Sequence, residues 1–550
     1  MFVAEFLLNE QNYALYLDKC FEIKCIIKNR VKKHCKSSFQ ILNHDKKYQK
    51  ARLTYGTLKS KKNKTNEEKE TFLLAKEYLS SRIKEVGLTK ADLYKYASVL
   101  QKKYRAYVSS QEVNAMVDEV LEGVDNILYG NGKTLHFKKF GQENTLSSKS
   151  LINGSQFALL EKVLKNGKVI LVPTILRTTN RKDKKTNKKV WLEFPLIIKD
   201  YDKYNQCIMN GIISGEYKVK YVRLIRKPFN NEFRYYAQLI IDGIPPLKHT
   251  KGIGKCGIDM GVSSVASVSD DLCLLEDLAP DIDNYNKQII TLQKKLEQSR
   301  RVNNKECYNK DGTIKKGVKF KNTKNYYRIL RRLKTLNRKR NEYVKQRHCM
   351  LANNIVEHCS EIYLEEMNFK SLHKRAKDKP NKSEKENINN NYQDKVTIIT
   401  NKKGITKKVH KRKKKKRYGK TLQNKSPGAM VVTLKNKCEF YNIPLIEISP
   451  IAYKGSQYNH LLDEYIKKDL KDRWNNFFYN DKLIKIQRDL YSAFLYQNPQ
   501  ETFLKPDRQL CNTKFDNFIQ MHNECIENLM KNNPKPLSCF GLNEYKKFND

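Results

Sequence analysis

The spacing of apolar and polar positions changes character several times along the chain, and each change marks an element. Met1 to Leu8 is apolar apart from Glu5 and reads as a strand. Tyr13, Leu15, Tyr16, Cys20, Ile23 and Ile27 then recur at helical spacing, predicting a helix over 13–31. From Asn66 to about Leu128 the period stays near four: Phe72, Leu73, Tyr78, Leu79 and Ile83, then Leu93, Tyr96, Val99 and Leu100 beyond the break at Gly87, and a third helix over 111–127. After the turn Tyr129-Gly-Asn-Gly-Lys133 the period drops to two. Segments 135–137, 168–172, 190–198, 217–225 and 233–241 read as strands separated by turn signals, together an antiparallel barrel or sandwich. The order predicts a β-barrel-like domain in two parts, 1–40 and 131–250, interrupted by a helical insert at 41–130.

The second half reads differently. Lys255 to Val268 is apolar enough for a buried strand yet carries one carboxylate, Asp259, between Gly257 and Gly261, where metal, water or phosphate can approach the backbone closely. Residues 269–275 continue it as a hairpin. Two long helices follow, 284–300 and 326–358, the second with apolar residues at near-heptad spacing and Arg331, Arg332 and Arg338 on other faces. A helical hairpin at 284–358 with a basic exterior is the natural reading, and a coiled-coil dimer is the alternative. Glu361 to Asn368 reads as a short strand ending in carboxylates. Residues 374–420 are low-complexity and include Arg412 and Arg417 in a dense basic run, which predicts a flexible loop that orders on a polyanion. Ser426-Pro427 opens a helix carrying Met430, Leu434, Cys438 and Tyr441, and 445–448 is a further strand. A basic segment, 453–473, leads to a helix over 485–495 that holds Asp489. From Glu501 a tail with helical material around 515–530 ends polar.

Composition narrows the partners. In 550 residues, 108 Lys plus Arg against 59 Asp plus Glu leave a net charge of +49, spread too widely to be one tail. A surface so charged repels itself unless a polyanion neutralises it, so nucleic acid is the expected partner. Lys218, Lys220 and Arg223, interleaved with apolar residues in one strand, give a basic face suited to a phosphate backbone. No apolar run approaches the ~18 residues of a membrane span. No signal peptide is expected, and thirteen scattered cysteines imply no disulfide framework. The expected location is cytoplasmic and nucleoid-associated, in a prokaryotic or mobile-element host cell, with neither membrane nor small-molecule substrate.

Three carboxylates remain as candidate chemistry: Asp259 in a strand, Glu365 at the end of another, and Asp489 near a helix start. Only the fold can bring residues so far apart together, as an RNase H-like sheet does. Three such acids suit two Mg²⁺ ions ~3.5–4 Å apart, one activating water and the other stabilising the leaving oxygen of a phosphodiester. Gly257-Ile-Asp-Met-Gly261, Leu364-Glu-Glu-Met-Asn368 and Gln487-Arg-Asp-Leu-Tyr-Ser-Ala493 resemble the three RuvC-type motifs of TnpB, the transposon-encoded RNA-guided DNA endonucleases related to compact type V CRISPR effectors. The likeness extends to Ser426-Pro-Gly-Ala429, the basic hairpin and the order of N-terminal elements.

The resemblance implies a multidomain α+β and α/β protein in which an N-terminal barrel with helical insert binds guide RNA and reads a short duplex motif. Residues 251–500 would form a RuvC-like, RNase H-like nuclease, followed by a tail at 501–550. It implies Asp259, Glu365 and Asp489 as catalytic, Mg²⁺-binding acids, with Mn²⁺ as a substitute ion. Guide RNA and target double-stranded DNA would be the partners, with Lys218, Lys220, Arg223, Arg331, Arg332, Arg338, Arg412, Arg417 and Arg488 as candidate nucleic-acid contacts. One departure is plain: typical members carry a four-cysteine zinc ribbon between the second and third motifs, whereas 453–485 contains no cysteine, so no structural zinc is expected. His460 in that segment reads as an ordinary polar contact. An RNA-guided DNA-binding regulator without cleavage and a strand-transfer transposase are the alternatives.

Overall fold

In the segment Lys255–Met260, Cys256, Ile258 and Met260 are fully buried on one face, while Gly257 and Asp259 take the other. This strand is the centre of one of two units, Met1–Lys248 and His249–Asp550. The computed structural model describes residues 1–9, 13–61, 63–129, 132–151, 156–163, 167, 169–182, 185–187, 189–229, 232–377, 396–400, 406–410, 412–416, 418–469, 471–532 and 536–542.

The first unit begins with β1 (Phe2–Leu8), then helices α1 (Ala14–His44), α2 (Lys46–Ser60), α3 (Asn66–Glu85), α4 (Lys90–Tyr104) and α5 (Ser110–Tyr129). After these come β2 (Thr145–Ser147), β3 (Phe157–Val163), β4 (Val169–Lys182), β5 (Lys189–Ile197), α6 (Lys203–Ile213), β6 (Lys218–Phe229) and β7 (Glu232–Asp242). The strands form one antiparallel sheet in the order β2-β6-β7-β1-β5-β4-β3. Helix α1 runs well past residue 31, because Val31, Cys35, Phe39 and Leu42 continue its buried stripe, so the expected boundary at 40 falls inside a helix. Its buried face also carries Lys24, Lys28 and Lys32. Lys24 reaches Glu119 at 2.6 Å and Lys28 reaches Glu143 at 3.2 Å, so these cations are paired inside the unit and do not face solvent. Residues 135–137, expected as a strand, are irregular; α2 falls within the expected helical insert, whereas β3 and α6 lie where the spacing predicts no element.

The second unit is a five-stranded sheet covered on both faces. Its strands are β8 (Lys255–Met260), β9 (Ser264–Val268), β10 (Cys273–Asp277), β11 (Glu361–Glu365) and, further along the chain, β16 (Leu445–Ile448), in the order β10-β9-β8-β11-β16. The first three are antiparallel, and β11 and β16 run parallel to β8. Helices α7 (Ile282–Asn303) and α8 (Lys324–Glu357) form the expected hairpin, and α9 (Phe369–Leu372) follows β11. Within 375–417 of the basic loop, the described residues are the strands β12 (Arg375–Lys377), β13 (Val396–Thr400), β14 (Thr406–His410) and β15 (Arg412–Lys416), by their backbone. Then come α10 (Gly419–Lys425), α11 (Pro427–Tyr441), β16 and α12 (Pro450–Tyr453). The cysteine-free segment forms two small hairpins, β17 (Tyr458–Asn459) with β18 (Glu464–Tyr465) and β19 (Trp474–Tyr479) with β20 (Lys482–Gln487), ahead of α13 (Arg488–Gln497) and α14 (Arg508–Asn532).

One face of the sheet packs Ile258, Met260 and Leu364 against Leu351 and Ile355 of α8 and Met430 and Leu434 of α11. The other packs Ala266, Val268 and Tyr363 against α13 and α14, where Phe494 stacks on Phe518 with centroids 4.4 Å apart. The C-terminal segment expected as a tail thus supplies half of a core layer. Two further expectations change. The apolar stretch 255–268 is two strands joined by a tight turn, in which the Gly261 N–H donates to Ser264 O at 3.0 Å. Residues 485–487 are strand, because Lys482 to Gln487 pairs with β19, and the Gln487 side chain accepts from the Leu490 N–H at 2.8 Å to start the helix.

Gly257 is approached closely, though by protein. A Cβ placed there would lie 2.0 Å from Ala493 O and 2.2 Å from Gln497 N, so the backbone of α13 rests directly on β8. Gly257→Ala is therefore expected to lower stability by about 1–3 kcal/mol or more through overpacking. Thermal denaturation checks it, and an unchanged midpoint would show that the helix does not sit where described.

Candidate active site

Strands β8 and β11 run parallel with Leu364 opposite Ile258. One residue further along both strands, Asp259 and Glu365 therefore lie side by side at the C-terminal end of the sheet, on the face toward α13. The contact of α13 on Gly257 brings the first turn of that helix to the same place, and Asp489 is its second residue. Strand pairing aligns two of the acids, and a helix seated on a glycine delivers the third. All three are half-buried.

Their electrostatics follow from this crowding. Burial raises the pKa of Asp259 well above the usual carboxylate value, and the charges of Glu365 and Asp489 raise it further, with Arg488 opposing. Glu365 is also raised, by burial and by Asp489, with a hydrogen bond from Asp259 pulling the other way. Two carboxyls in such contact titrate as a pair. Arg488 is the local counter-charge: its Nη2 and Nε lie 3.2 and 3.3 Å from Asp489 Oδ1, and its Nη1 donates to Asp472 O at 3.2 Å. Among the described residues, no three His, Cys, Asp or Glu side chains already converge as a ligand set. The three acids are within reach of one another's charge, and one guanidinium does not neutralise them. The donor set fits a hard divalent cation, which takes carboxylate oxygens and relieves that repulsion.

Tyr496 was not legible as a site residue. It is buried beneath the acids, stacks on Tyr453 with centroids 4.8 Å apart, and has its hydroxyl pKa raised by burial and by Glu365 and Asp259. Its only sequence signal is its position two turns after Asp489. His460 is a core residue with one polar contact: Nδ1 pairs with the Tyr491 hydroxyl at 2.7 Å, Nε2 is buried without a hydrogen-bond partner, the ring packs on Phe515, and burial pushes its pKa down to about 4.

The candidate nucleic-acid contacts fall in several places. Lys218 and Arg223 share a face of β6 because Lys220 sits at a register shift between Val219 and Tyr221, which restores the alternation. Lys220 pairs with Asp242 at 3.0 Å, and Arg223 bonds Ser147 and Gln238 at 3.1 and 3.2 Å. Arg331 and Arg332 are exposed on α8 and Arg338 is half-buried there. Arg412 lies in β15, with its side chain outside the described residues, and Arg417 is outside them altogether. Arg488 is engaged with Asp489 and does not present a free guanidinium. Among the described residues, no helix is long and apolar enough to cross a membrane.

No protein-family model matches this chain, and no curated protein matches it. Among solved structures it is similar to a Cas12f1–sgRNA–target DNA complex, with 13% identity over 82% of this chain and 81% of that one and a TM-score of 0.43. It is also similar to a CRISPR-Cas12f ternary complex, with 13% identity over 92% and 100% of the two chains and a TM-score of 0.25. A third similarity is to a Cas12i1 R-loop complex before target DNA cleavage, with 11% identity, 94% and 64% coverage and a TM-score of 0.26. The functional reading stands on the geometry of the acids themselves.

Crowded acids make the site unstable without a cation. Asp259→Asn replaces the acid whose charged form the cluster disfavours by a neutral amide and is expected to raise metal-free stability by about 1 kcal/mol, the usual scale for relieving a strained functional site. The sign follows from linkage. An acid whose folded pKa is raised costs the fold nothing below its unfolded value of ~3.9, and the cost grows as pH rises through the folded pKa. The gain from Asp259→Asn in EDTA is therefore larger at pH 7 than at pH 5, as scanning calorimetry would show. A gain independent of pH would contradict the repulsion.

Proposed function

We propose that this chain is an RNA-guided DNA endonuclease of the TnpB type, from a transposon-associated system, with an RNase H-like, RuvC-type nuclease in its second unit. The observation that supports it is the meeting of Asp259, Glu365 and Asp489, the three positions that match the family's motifs, at one end of the five-stranded sheet. Asp259 and Glu365, side by side, would hold a pair of Mg²⁺ ions between them, and Asp489 would complete the set from the helix. When bound, such ions supply Lewis acidity at both the attacking and the leaving oxygen of a phosphodiester. The protein's own part is positional. The parallel register fixes the spacing of two carboxylates, the Gly257 contact fixes the third, and the apolar layer around Phe494 and Tyr496 keeps the set rigid.

Guide RNA and target duplex are the partners the motifs imply, and the +49 charge suits them. In this reading base pairing selects the sequence, and the exposed Arg331 and Arg332 of α8 grip backbone phosphates. The prediction concerns cleavage of a matched plasmid in Mg²⁺ by protein carrying its co-purified RNA. Asp259→Ala, Glu365→Ala and Asp489→Ala are each expected to cut more than about 100-fold more slowly, since losing a ligand outweighs the 10–100-fold typical of its hydrogen-bond partners. RNA retention should be unchanged. Loss of RNA in all three would make the acids structural, and tight target binding by the parent protein with no cut product would favour a binding regulator.

A further inference from the structure

One face of the first unit's sheet holds a pocket that the nuclease reading does not use. Strands β3, β4 and β5 pair so that Val172 faces Leu160, Thr174 faces Pro195 and Thr178 faces Trp191. Trp191, Glu193 and Pro195 therefore alternate onto one face together with Thr174 and Leu160. The hollow over this face has a volume of about 810 Å³ and is closed at one end by Asn9 and Tyr13, where the Asn9 N–H donates to Pro195 O at 2.9 Å. Trp191 is half-buried, Tyr13 is 41% exposed, and Glu193 and Lys162, on the same face, are exposed.

This combination is unusual in a chain with so many cations. One carboxylate, Glu193, and one lysine, Lys162, alternate onto this face, while Glu161, opposite Leu171, falls on the other, so the hollow carries no excess of positive charge to draw in a phosphate. Aromatic rings beside acceptor-only oxygens suit a planar group with amino hydrogens to donate. On one strand face Trp191 and Glu193 are about 6.6–6.8 Å apart, close to the width of a nucleobase. A carboxylate accepts from the N4 amino group of cytosine, and equally from the N6 amino group of adenine, whereas uracil and thymine carry a carbonyl at that position.

We propose that this hollow is a nucleobase subsite: it takes an unstacked adenine or cytosine from a single-stranded segment, with the ring against Trp191 and the exocyclic amino group toward Glu193. The site extends the nucleic-acid-binding part of the proposed function, adding a base-reading contact to a surface otherwise suited to phosphates. The volume accommodates one or two nucleotides.

The chain has two tryptophans, which makes the site observable. Trp474 donates its indole N–H to Gly541 O at 2.9 Å in the second unit, so Trp474→Phe leaves Trp191 as the only indole. Full-length protein, stripped of RNA in high salt and held in EDTA, is titrated with short oligo(rA), oligo(rC) and oligo(rU). EDTA keeps the test separate from cleavage: an inactive nuclease can still show the subsite, and an active one can lack it. Oligo(rA) and oligo(rC) are expected to quench Trp191 at concentrations several-fold lower than oligo(rU), and Glu193→Gln to close that gap. In a second readout, fluorescence anisotropy of labelled oligo(rA), Trp191→Ala is expected to bind roughly tenfold more weakly, with an unchanged circular dichroism spectrum. The deoxy oligomers, run alongside, assign the strand to RNA or DNA, and base-dependent quenching by either supports the proposal. Absence of quenching, equal quenching by all three bases, or unchanged binding by Trp191→Ala overturns it.

Discussion

Three carboxylates repel one another, and the second unit is built to hold them together anyway. Asp259 and Glu365 cannot move apart, because they are adjacent positions of two hydrogen-bonded parallel strands whose other faces are sealed by Ile258 and Leu364. Asp489 cannot retreat, because its helix is pressed on Gly257 and anchored behind by Phe494, Phe515 and Phe518. Packing imposes the repulsion and Arg488 opposes it; the divalent ions of the proposed function would relieve it further.

Around this acidic point the chain is overwhelmingly basic, and the contrast organises the proposed function. Exposed arginines on α8 suit the sequence-independent grip of a phosphate backbone, while in the proposed function the carboxylates would supply the chemistry. The first unit handles its charges in another way. Lys24, Lys28 and Lys32 are buried on α1 and satisfied by acceptors such as Glu119, Glu143 and the carbonyl of His136, so part of the basic composition serves packing. The hollow beside Trp191, where Glu193 is matched by Lys162, likewise lacks the global excess of cations.

Much of the second unit was legible because its signals are local. The alternation of Cys256, Ile258 and Met260, the short strand ending at Glu365 and the long period of α8 each follow from a few consecutive residues. What sequence could not supply was contact. Gly257 looked like a place for metal or phosphate and is instead where a helix backbone lands, a role set by Ala493 and Gln497 far down the chain. The position of Tyr496 two turns after Asp489 was too weak a signal, because its closeness to the acids depends on that same landing. The helix carrying Asp489 seemed to start at Lys485, because isolated spacing does not show that 482–487 pairs with β19. In the first unit, strand β3 and helix α6 escaped notice, and α1 appeared too short, since Lys24, Lys28 and Lys32 interrupt its apolar stripe and only their buried partners justify them.

The central claim is that these three acids share divalent cations, and a Mn²⁺ titration followed by electron paramagnetic resonance tests it most directly. In the parent protein, two Mn²⁺ ions per chain are expected to bind and to show the spin coupling of ions held ~3.5–4 Å apart, and Glu365→Gln should abolish the coupled signal. Uncoupled binding, or a coupled signal that survives replacement of Glu365, would contradict the account.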